Sequence, residues 1–298
     1  MNDKTIKSDK ATKKIILHIG FPKCASTSLQ QNLFLRHPSI FPILYQKRKK
    51  NLKKWKYFFD EIMTKCDSNI FKSYKKKFLN LVLKVPKKTI VISNEGIIRK
   101  LSSSSFTKIF PKSSILVLIR EPVSYYESVY AGWLKGFGGK YKSIIDPDSW
   151  VKNIIESGND YEKLYKIICN LKKWKINILP FELLVENKDI FCQVLGSILN
   201  INHIEIKKYF FTTIKNKRIT KHSILAKKIE IFSPFLHQLL FNQKLYGLRL
   251  WLKKIIPDKR IEINLKTETV KHIKKKTNYY CQEIDKCCNF SLKNLGYY

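Results

Sequence analysis

The stretch IILHIGFPKCASTSLQQNLF, residues 15–34, decides the fold. Ile15 to Ile19 is a short β-favouring run, Gly20, Pro22 and Lys23 turn the chain, and small hydroxyl-bearing residues then open a helical pattern. Thr27 with Gln30, or Ser28 with Gln31, has the spacing of a capping box. A strand, loop and helix start of this kind aims backbone N–H groups, hydroxyls and the positive helix end at one point, which is an anion cradle. It is not a Walker A loop. That motif sets Lys directly before the Ser or Thr that holds magnesium, whereas Lys23 stands three residues before Ser26, so a nucleotide bound here needs no metal. Taken alone, the same residues also read as a capped helix beside an unrelated lysine.

Working outward, three more β-rich runs follow the same grammar: Thr89 to Ser93 (TIVIS), Ser114 to Ile119 (SILVLI) and Ile176 to Pro180 (INILP). Near-continuous apolar strands alternating with helical patterns indicate a parallel sheet covered on both faces, with ligands at the carboxyl ends of its strands. The fold expected is therefore α/β, a central parallel sheet flanked by helices. Between the first two runs, Leu44 to Lys88 mixes Lys clusters with Trp55, Phe58, Phe59, Phe71, Tyr74 and Phe78 at roughly helical spacing, which reads as amphipathic helices. Asn187 to Lys208 reads as helical, Phe210 to Lys221 as a basic loop, Phe232 to Ile256 as a basic amphipathic stretch, and the tail as a Lys-rich helix. No repeat or linker interrupts the chain. One domain over 1–298 is expected, with 1–14 a disordered basic N-terminus and 225–298 a helical C-terminal appendage.

Composition sets the outer bounds. The chain has 298 residues, 44% of them hydrophobic, enough to bury a core and to exclude disorder along most of its length. Its net charge of +35 points to an anionic ligand, acceptor or surface. The cations are 51 Lys and seven Arg in an Ile- and Asn-rich chain, which an A/T-rich coding sequence also produces, so charge alone names no partner. The polar, Lys-rich N-terminus does not read as a secretory signal, and polar residues break Phe232 to Ile256 as a spanning candidate. Seven cysteines without paired CxxC spacing, clustered only at Cys281, Cys287 and Cys288, suit a reduced compartment better than a disulfide framework or a zinc site.

The third run leads into a second junction, SILVLIREPVSYYESVYAGW, residues 114–133. Pro122 suits a first helical turn, and Val123, Tyr126, Tyr130 and Trp133 share a core spacing that turns Ser124 and Ser128 to another face. Arg120 at the strand end and Ser128 two turns into the helix can then approach one phosphate, Arg with bidentate charge-assisted contacts and Ser with a hydroxyl. The structural alternative pairs Arg120 with Glu121 or Glu127.

Together these motifs resemble a known family. Lys23, Ala25, Ser26 and Thr27 resemble the 5′-phosphosulfate loop, PKxGTT or PKxGST, of sulfotransferases that use 3′-phosphoadenosine 5′-phosphosulfate (PAPS). Arg120 and Ser128, eight residues apart, resemble that family's 3′-phosphate motif. More weakly, the likeness runs through Tyr161 to Leu199, where YEKLYKIICNLKKWKINILPFELL is similar to the family's Tyr-rich helix, strand and Phe-Glu-x-Leu turn. It spans about the first two thirds of the chain. Two positions depart: Ala25 replaces the usual Gly, which restricts φ, and Tyr125 stands where many members carry a second Arg.

The resemblance implies a P-loop-like nucleotide-binding core, PAPS as donor co-substrate and no metal. It places Lys23, Cys24, Ala25, Ser26, Thr27 and Ser28 around the phosphosulfate, Arg120 and Ser128 on the 3′-phosphate, Phe181 near the adenine, and Lys217 and Arg218 in a basic loop closing over the nucleotide. Lys23 is the candidate to neutralise the leaving phosphate. Glu95, beyond the second strand, is the candidate base, with a turn cap or an ion pair as its structural alternative; His18, inside the first strand, is the runner-up and better suited to a structural role. Ser93 and Asn94 are candidates to position acceptor or sulfate.

The expected activity is sulfuryl transfer to a hydroxyl or amine of a carbohydrate or glycolipid, in a cytoplasmic protein with peripheral contact at the inner membrane surface and no specific nucleic-acid partner. The competing reading is a non-catalytic basic protein that binds nucleic acid or anionic membrane. A magnesium-dependent P-loop kinase is disfavoured by the missing GK[ST].

Overall fold

The structure is a computed structural model and describes residues 13–44, 73, 76, 80, 84–93, 113–134, 146–171, 174–211 and 262–298. Five parallel strands form one sheet: β1 (Lys14–His18), β2 (Ile40–Leu44), β3 (Thr89–Ser93), β4 (Ser114–Ile119) and β5 (Lys175–Pro180), in the order β2-β3-β1-β4-β5. The expected α/β class is therefore the observed one. Every residue of β3 is buried, as are five of the six in β4, which is why these runs carry no polar alternation.

β2 is the strand that the sequence reading passes over. Its segment IFPIL contains Pro42, which cannot donate to a ladder, and the structure resolves the conflict by placing β2 at the sheet edge beside β3. β1 also begins at Lys14, one residue inside the stretch expected to be disordered.

The chain divides into two compact units. Unit one comprises Met1–Phe21, Ala25–Ile119 and Lys166–Thr213, and holds the sheet. After β1 it carries helix α1 (Ser26–Ser28), which widens without a break into a π-helical turn, Leu29–Phe34. Beyond β5 come α5 (Phe181–Glu186), α6 (Lys188–Leu199) and α7 (His203–Phe210). The single helix expected over Asn187 to Lys208 is thus two. Asn200 ends α6 in the left-handed conformation, φ 57°, and Asn202 caps α7 by accepting from the Ile204 N–H at 2.9 Å. Thr89 Oγ1 donates to the Leu199 carbonyl at 3.1 Å and Asn32 to the Phe210 carbonyl at 3.1 Å, tying these helix ends to the sheet and to the π-helical turn.

Unit two comprises Pro22–Cys24, Arg120–Tyr165 and Ile214–Tyr298. It contains α2 (Pro122–Leu134), α3 (Pro147–Ser157), the start of α4 (Asp160–Asn170) and α8 (Thr267–Asp285). α3 opens on Asp146, whose carboxylate accepts from the Ser149 N–H at 2.8 Å, with Pro147 in the first turn. Tyr130 stacks on Trp133 with ring centroids 5.7 Å apart, and Trp150 closes the same aromatic cluster between α2 and α3. α8 packs against both helices. Asp148 accepts from the Lys266 N–H at 2.9 Å just before α8 begins, and Glu156 pairs with His272 and Lys276 on its exposed side.

Among the described residues no helix is long and apolar enough to cross a membrane. Most of Leu44 to Lys88 and all of Phe232 to Ile256 lie outside those residues, so the amphipathic helices expected there do too.

Candidate functional site

The sheet order reverses at β1. From β1 the chain moves outward to β2 and β3 on one side, then returns to β4 and β5 on the other, so the carboxyl ends of β1 and β4 bound the crevice where an open α/β sheet takes ligands. The ladder continues past both strands: the Ile19 N–H donates to the Leu116 carbonyl at 3.0 Å and the Phe21 N–H to the Leu118 carbonyl at 3.2 Å. Pro22 and Arg120 follow directly on these two ladder ends, and both belong to unit two.

Backbone conformation turns the first exit into a cradle. Lys23 and Ala25 have φ of 69° and 60°, and with Asn200 they are the non-glycine residues of positive φ among the described residues. The sign of φ thus alternates from Lys23 through Cys24 and Ala25 to Ser26, the pattern that folds successive N–H groups into a concave anion nest. Ala25 takes the left-handed conformation that a glycine would supply without a steric cost. It is also the N-cap of α1, with no side chain bonded to the helix start, so the capping box expected from Thr27 and Gln30, or Ser28 and Gln31, is not formed. Thr27 is exposed, Ser28 half-buried and Ser26 buried. The Ser26 hydroxyl donates to the Phe21 carbonyl at 3.3 Å, and the buried Cys24 thiol lies 3.7 Å from the Pro22 carbonyl.

Gln30 has a different partner from the one the capping pattern suggested. Its amide donates to Ser93 Oγ at 2.8 Å, and Ser93 Oγ lies 2.6 Å from His18 Nδ1. The register explains the meeting, since His18 and Ser93 are paired at the carboxyl ends of β1 and β3. His18 is fully buried and desolvation pushes its pKa down to about 3, so the ring is neutral. This network joins three residues with separate roles in the sequence: His18 as a runner-up base, Ser93 as a substrate contact and Gln30 as a capping partner. No signal in the linear sequence links residues so far apart; the strand register does.

At the second exit, one Arg120 Nη1 donates to the Lys23 carbonyl at 3.4 Å. The two motifs, 97 residues apart in sequence, thus meet. Tyr161 Oη donates to the Arg120 carbonyl, fixing the backbone behind the guanidinium. Glu121 serves the helix: its two carboxylate oxygens accept from the Val123 N–H at 2.9 Å and the Ser124 N–H at 2.7 Å. Glu127 is half-buried, and its carboxyl is raised above the usual range by burial and by Glu121, with Arg120 opposing the shift. Ser128 sits half-buried two turns into α2.

The core face of α2 differs in one position from the expected one. Tyr125 is fully buried, whereas Val123 is only partly so. The Tyr125 hydroxyl donates to Asp160 at 2.8 Å, its ring meets Tyr161 edge-on at 5.9 Å, and burial followed by the Asp160 charge raises its pKa well above the phenolic value. The position at which the resemblance asks for a second Arg is therefore a core tyrosine.

Phe181 opens α5 directly after β5, at the same carboxyl edge of the sheet as the loop after β1. Asn94, Glu95, Lys217 and Arg218 lie outside the described residues. Among the described residues no group of three or more His, Cys, Asp or Glu could hold a metal ion; Cys281 is buried in α8 with its thiol raised to about 12 by desolvation, while Cys287 is exposed.

No family model matches the chain, and no curated protein matches its sequence. Solved structures do resemble it. A sulfotransferase from Alicyclobacillus acidocaldarius superposes with a TM-score of 0.41 at 12% identity, over 80% of this chain and 99% of that one. The sulfotransferase domain from the curacin biosynthetic pathway gives a TM-score of 0.46 at 15% identity, over 89% of this chain and 98% of that domain.

Proposed function

We propose that this chain is a sulfotransferase that moves the sulfuryl group of PAPS to a hydroxyl or amine of a carbohydrate or glycolipid. The observation that supports it best is the Arg120 guanidinium on the Lys23 carbonyl, beside a loop whose φ signs alternate from Lys23 to Ser26. One phosphate motif is thereby set against the other, and a ligand with phosphate groups at two positions of one ribose has use for both. In this reading the nest, Lys23, Cys24, Ala25, Ser26, Thr27 and Ser28 take the 5′-phosphosulfate, Arg120 and Ser128 the 3′-phosphate, and Phe181 the adenine. Lys217 and Arg218 are assigned to the nucleotide on the sequence resemblance alone.

The chemistry balances without an additional reagent. The acceptor oxygen or nitrogen attacks sulfur, the bond from sulfur to the bridging oxygen breaks, and its electron pair leaves on the 5′-phosphate of 3′-phosphoadenosine 5′-phosphate (PAP). Lys23 stabilises that developing charge, as preorganised cationic donors do in phosphoryl and acyl transfer. The acceptor proton passes to Glu95. His18 does not compete for that role, because a neutral ring with a pKa near 3 is a poor base at neutral pH. The basic, aromatic segment from Leu44 to Lys88 supports an acceptor with sugar or anionic character.

The test is a thermal-shift titration with PAP, AMP and ADP at moderate salt, without magnesium, on the wild type and Arg120→Ala. A saturable rise with PAP that falls roughly a hundredfold in affinity in the variant supports the assignment, since a charge-assisted contact to a phosphate is worth about 1.5–3 kcal/mol. A response that any polyanion reproduces, that collapses with salt and ignores Arg120→Ala, returns the chain to the class of basic surface binders. Glu95→Gln should abolish transfer with PAP binding intact; unchanged turnover moves the base elsewhere.

A further inference from the structure

We propose that His18 is a positioning residue of the loop after β1, whose Nε2–H donates to Ser26 Oγ when that hydroxyl turns toward a bound oxyanion. This rests on the reading of the loop as a sulfonucleotide site and adds the part beneath it.

The direction of the hydrogen bonds carries the inference. Gln30 Nε2 donates to Ser93 Oγ, so the single hydroxyl proton of Ser93 remains for its other neighbour, His18 Nδ1, 2.6 Å away. Nδ1 is then an acceptor. Burial keeps the ring uncharged, and a neutral imidazole that accepts at Nδ1 carries its proton at Nε2. On the side of the π-helical turn the ring meets an apolar neighbour, Phe34, edge-on at 5.5 Å. Among the described residues His18 Nε2 is buried with no hydrogen-bond partner. A buried donor left in this state is costly, and its presence at the foot of a ligand loop calls for a partner that arrives with the ligand.

Gly20 shows where that donor is aimed. A Cβ built on Gly20 would lie 3.0 Å from His18 Nε2 and 2.5 Å from Ser26 Oγ, so the two polar atoms face one another across the bare Cα. Glycine is needed here for space, not for φ. Ser26 Oγ now donates to the Phe21 carbonyl at 3.3 Å, a long bond to a neutral acceptor. A phosphate or sulfate oxygen on the nest is a stronger acceptor, and rotation about one Ser26 torsion turns the proton to it and a lone pair to His18 Nε2–H. The donors then run in one direction, from Gln30 to Ser93, His18, Ser26 and the anion. Such a chain polarises cooperatively toward the negative charge.

The test uses the full chain with 15N-labelled histidine. In the ligand-free protein the His18 ring should appear as the Nε2-protonated neutral tautomer, and remain so down to about pH 4. Addition of PAP should shift the Nε2–H resonance and slow its exchange with solvent. His18→Gln, whose amide nitrogen reaches the Nε2 position, should keep PAP and AMP affinity within about threefold; His18→Asn, which replaces only the Nδ1 side, should lose roughly tenfold for both nucleotides, because the contact serves the 5′ end. An Nδ1-protonated ring, or equal affinity in the two variants while the wild type binds PAP, overturns the relay alone. Absence of PAP binding by the wild type overturns the nucleotide reading and the relay with it. The wild-type spectrum decides the tautomer whether or not the variants fold.

Discussion

Two strand-to-helix junctions of this molecule read almost alike in sequence, and they close in opposite ways. After β4, Glu121 folds its carboxylate onto the Val123 and Ser124 N–H groups, so the start of α2 already carries its own anion. After β1, Ala25 occupies the N-cap with no side-chain bond, and the backbone from Lys23 to Ser26 alternates in φ. A helix start capped by a carboxylate has little positive potential left to offer, whereas an uncapped start behind a nest offers both its dipole and its donors. On the proposed reading the first junction binds through backbone and the second through side chains, Arg120 and Ser128. That division also explains why Arg120 reaches back to the Lys23 carbonyl. The guanidinium is held by the backbone of the other loop.

The strongest way to break the comparison is to remove the Lys23 ammonium from the backbone-built side. Lys23→Ala leaves the nest in place, so PAP should still bind within a few-fold of the wild type, while sulfuryl transfer falls by about 10²–10³-fold, the range for loss of one transition-state donor. Single-turnover kinetics beside equilibrium binding separates the two quantities. Equal loss in both would mean that Lys23 merely holds the ground state.

A second effect comes from what lies beneath the first junction. His18 has a folded-state pKa of about 3 against an ordinary 6.5, so between these values the unfolded chain takes up a proton that the folded chain refuses. The stability this contributes is complete above pH 6.5, declines as pH falls and is gone below about 3. Moving from pH 6.5 to 5 should cost about 2 kcal/mol more in the wild type than in His18→Gln, whose side chain does not titrate. Urea unfolding of both proteins at the two pH values measures the difference. Parallel losses would place the titrating group elsewhere.

Glu121→Ala makes the second junction resemble the first. Loss of the cap should lower stability by about 1 kcal/mol, with PAP affinity unchanged, because the ligand contacts assigned to this side are side chains. A drop in affinity like that of Arg120→Ala would show instead that Glu121 positions the guanidinium.

The sheet and both junctions are legible in the sequence because buried parallel strands are apolar runs that need no partner to be recognised. β2 is not, since Pro42 contradicts a strand until the edge position is known. α3 carries a readable start in Asp146 and Pro147, yet its amphipathic run is short and sits within a polar stretch. At the site, Lys23 and Arg120 are visible as motif residues, but their contact is a property of strand order. Gln30 is the instructive miss: its spacing fits a cap, and a buried serine from a distant strand is the better partner because it satisfies two buried groups together. Tyr125 likewise reads as a departure from a phosphate motif until Asp160 and Tyr161 define it as core.

The smallest expected effect tests the backbone itself. Ala25 has φ 60° and ψ 10°, a region that costs an L-residue about 1–2 kcal/mol and costs glycine nothing. Elsewhere glycine destabilises by about 0.5–1 kcal/mol through the freedom it gives the unfolded chain. The two terms nearly cancel here, so Ala25→Gly should change the free energy of unfolding by less than about 1 kcal/mol, toward greater stability if at all. PAP affinity should hold or improve. Ala25→Val, which brings a β-branched side chain into the same left-handed position, should lose stability and affinity together. If glycine instead weakened the protein by the full ordinary penalty, Ala25 would not be left-handed in solution. The contrast between a nested junction and a capped one would then lose its backbone half.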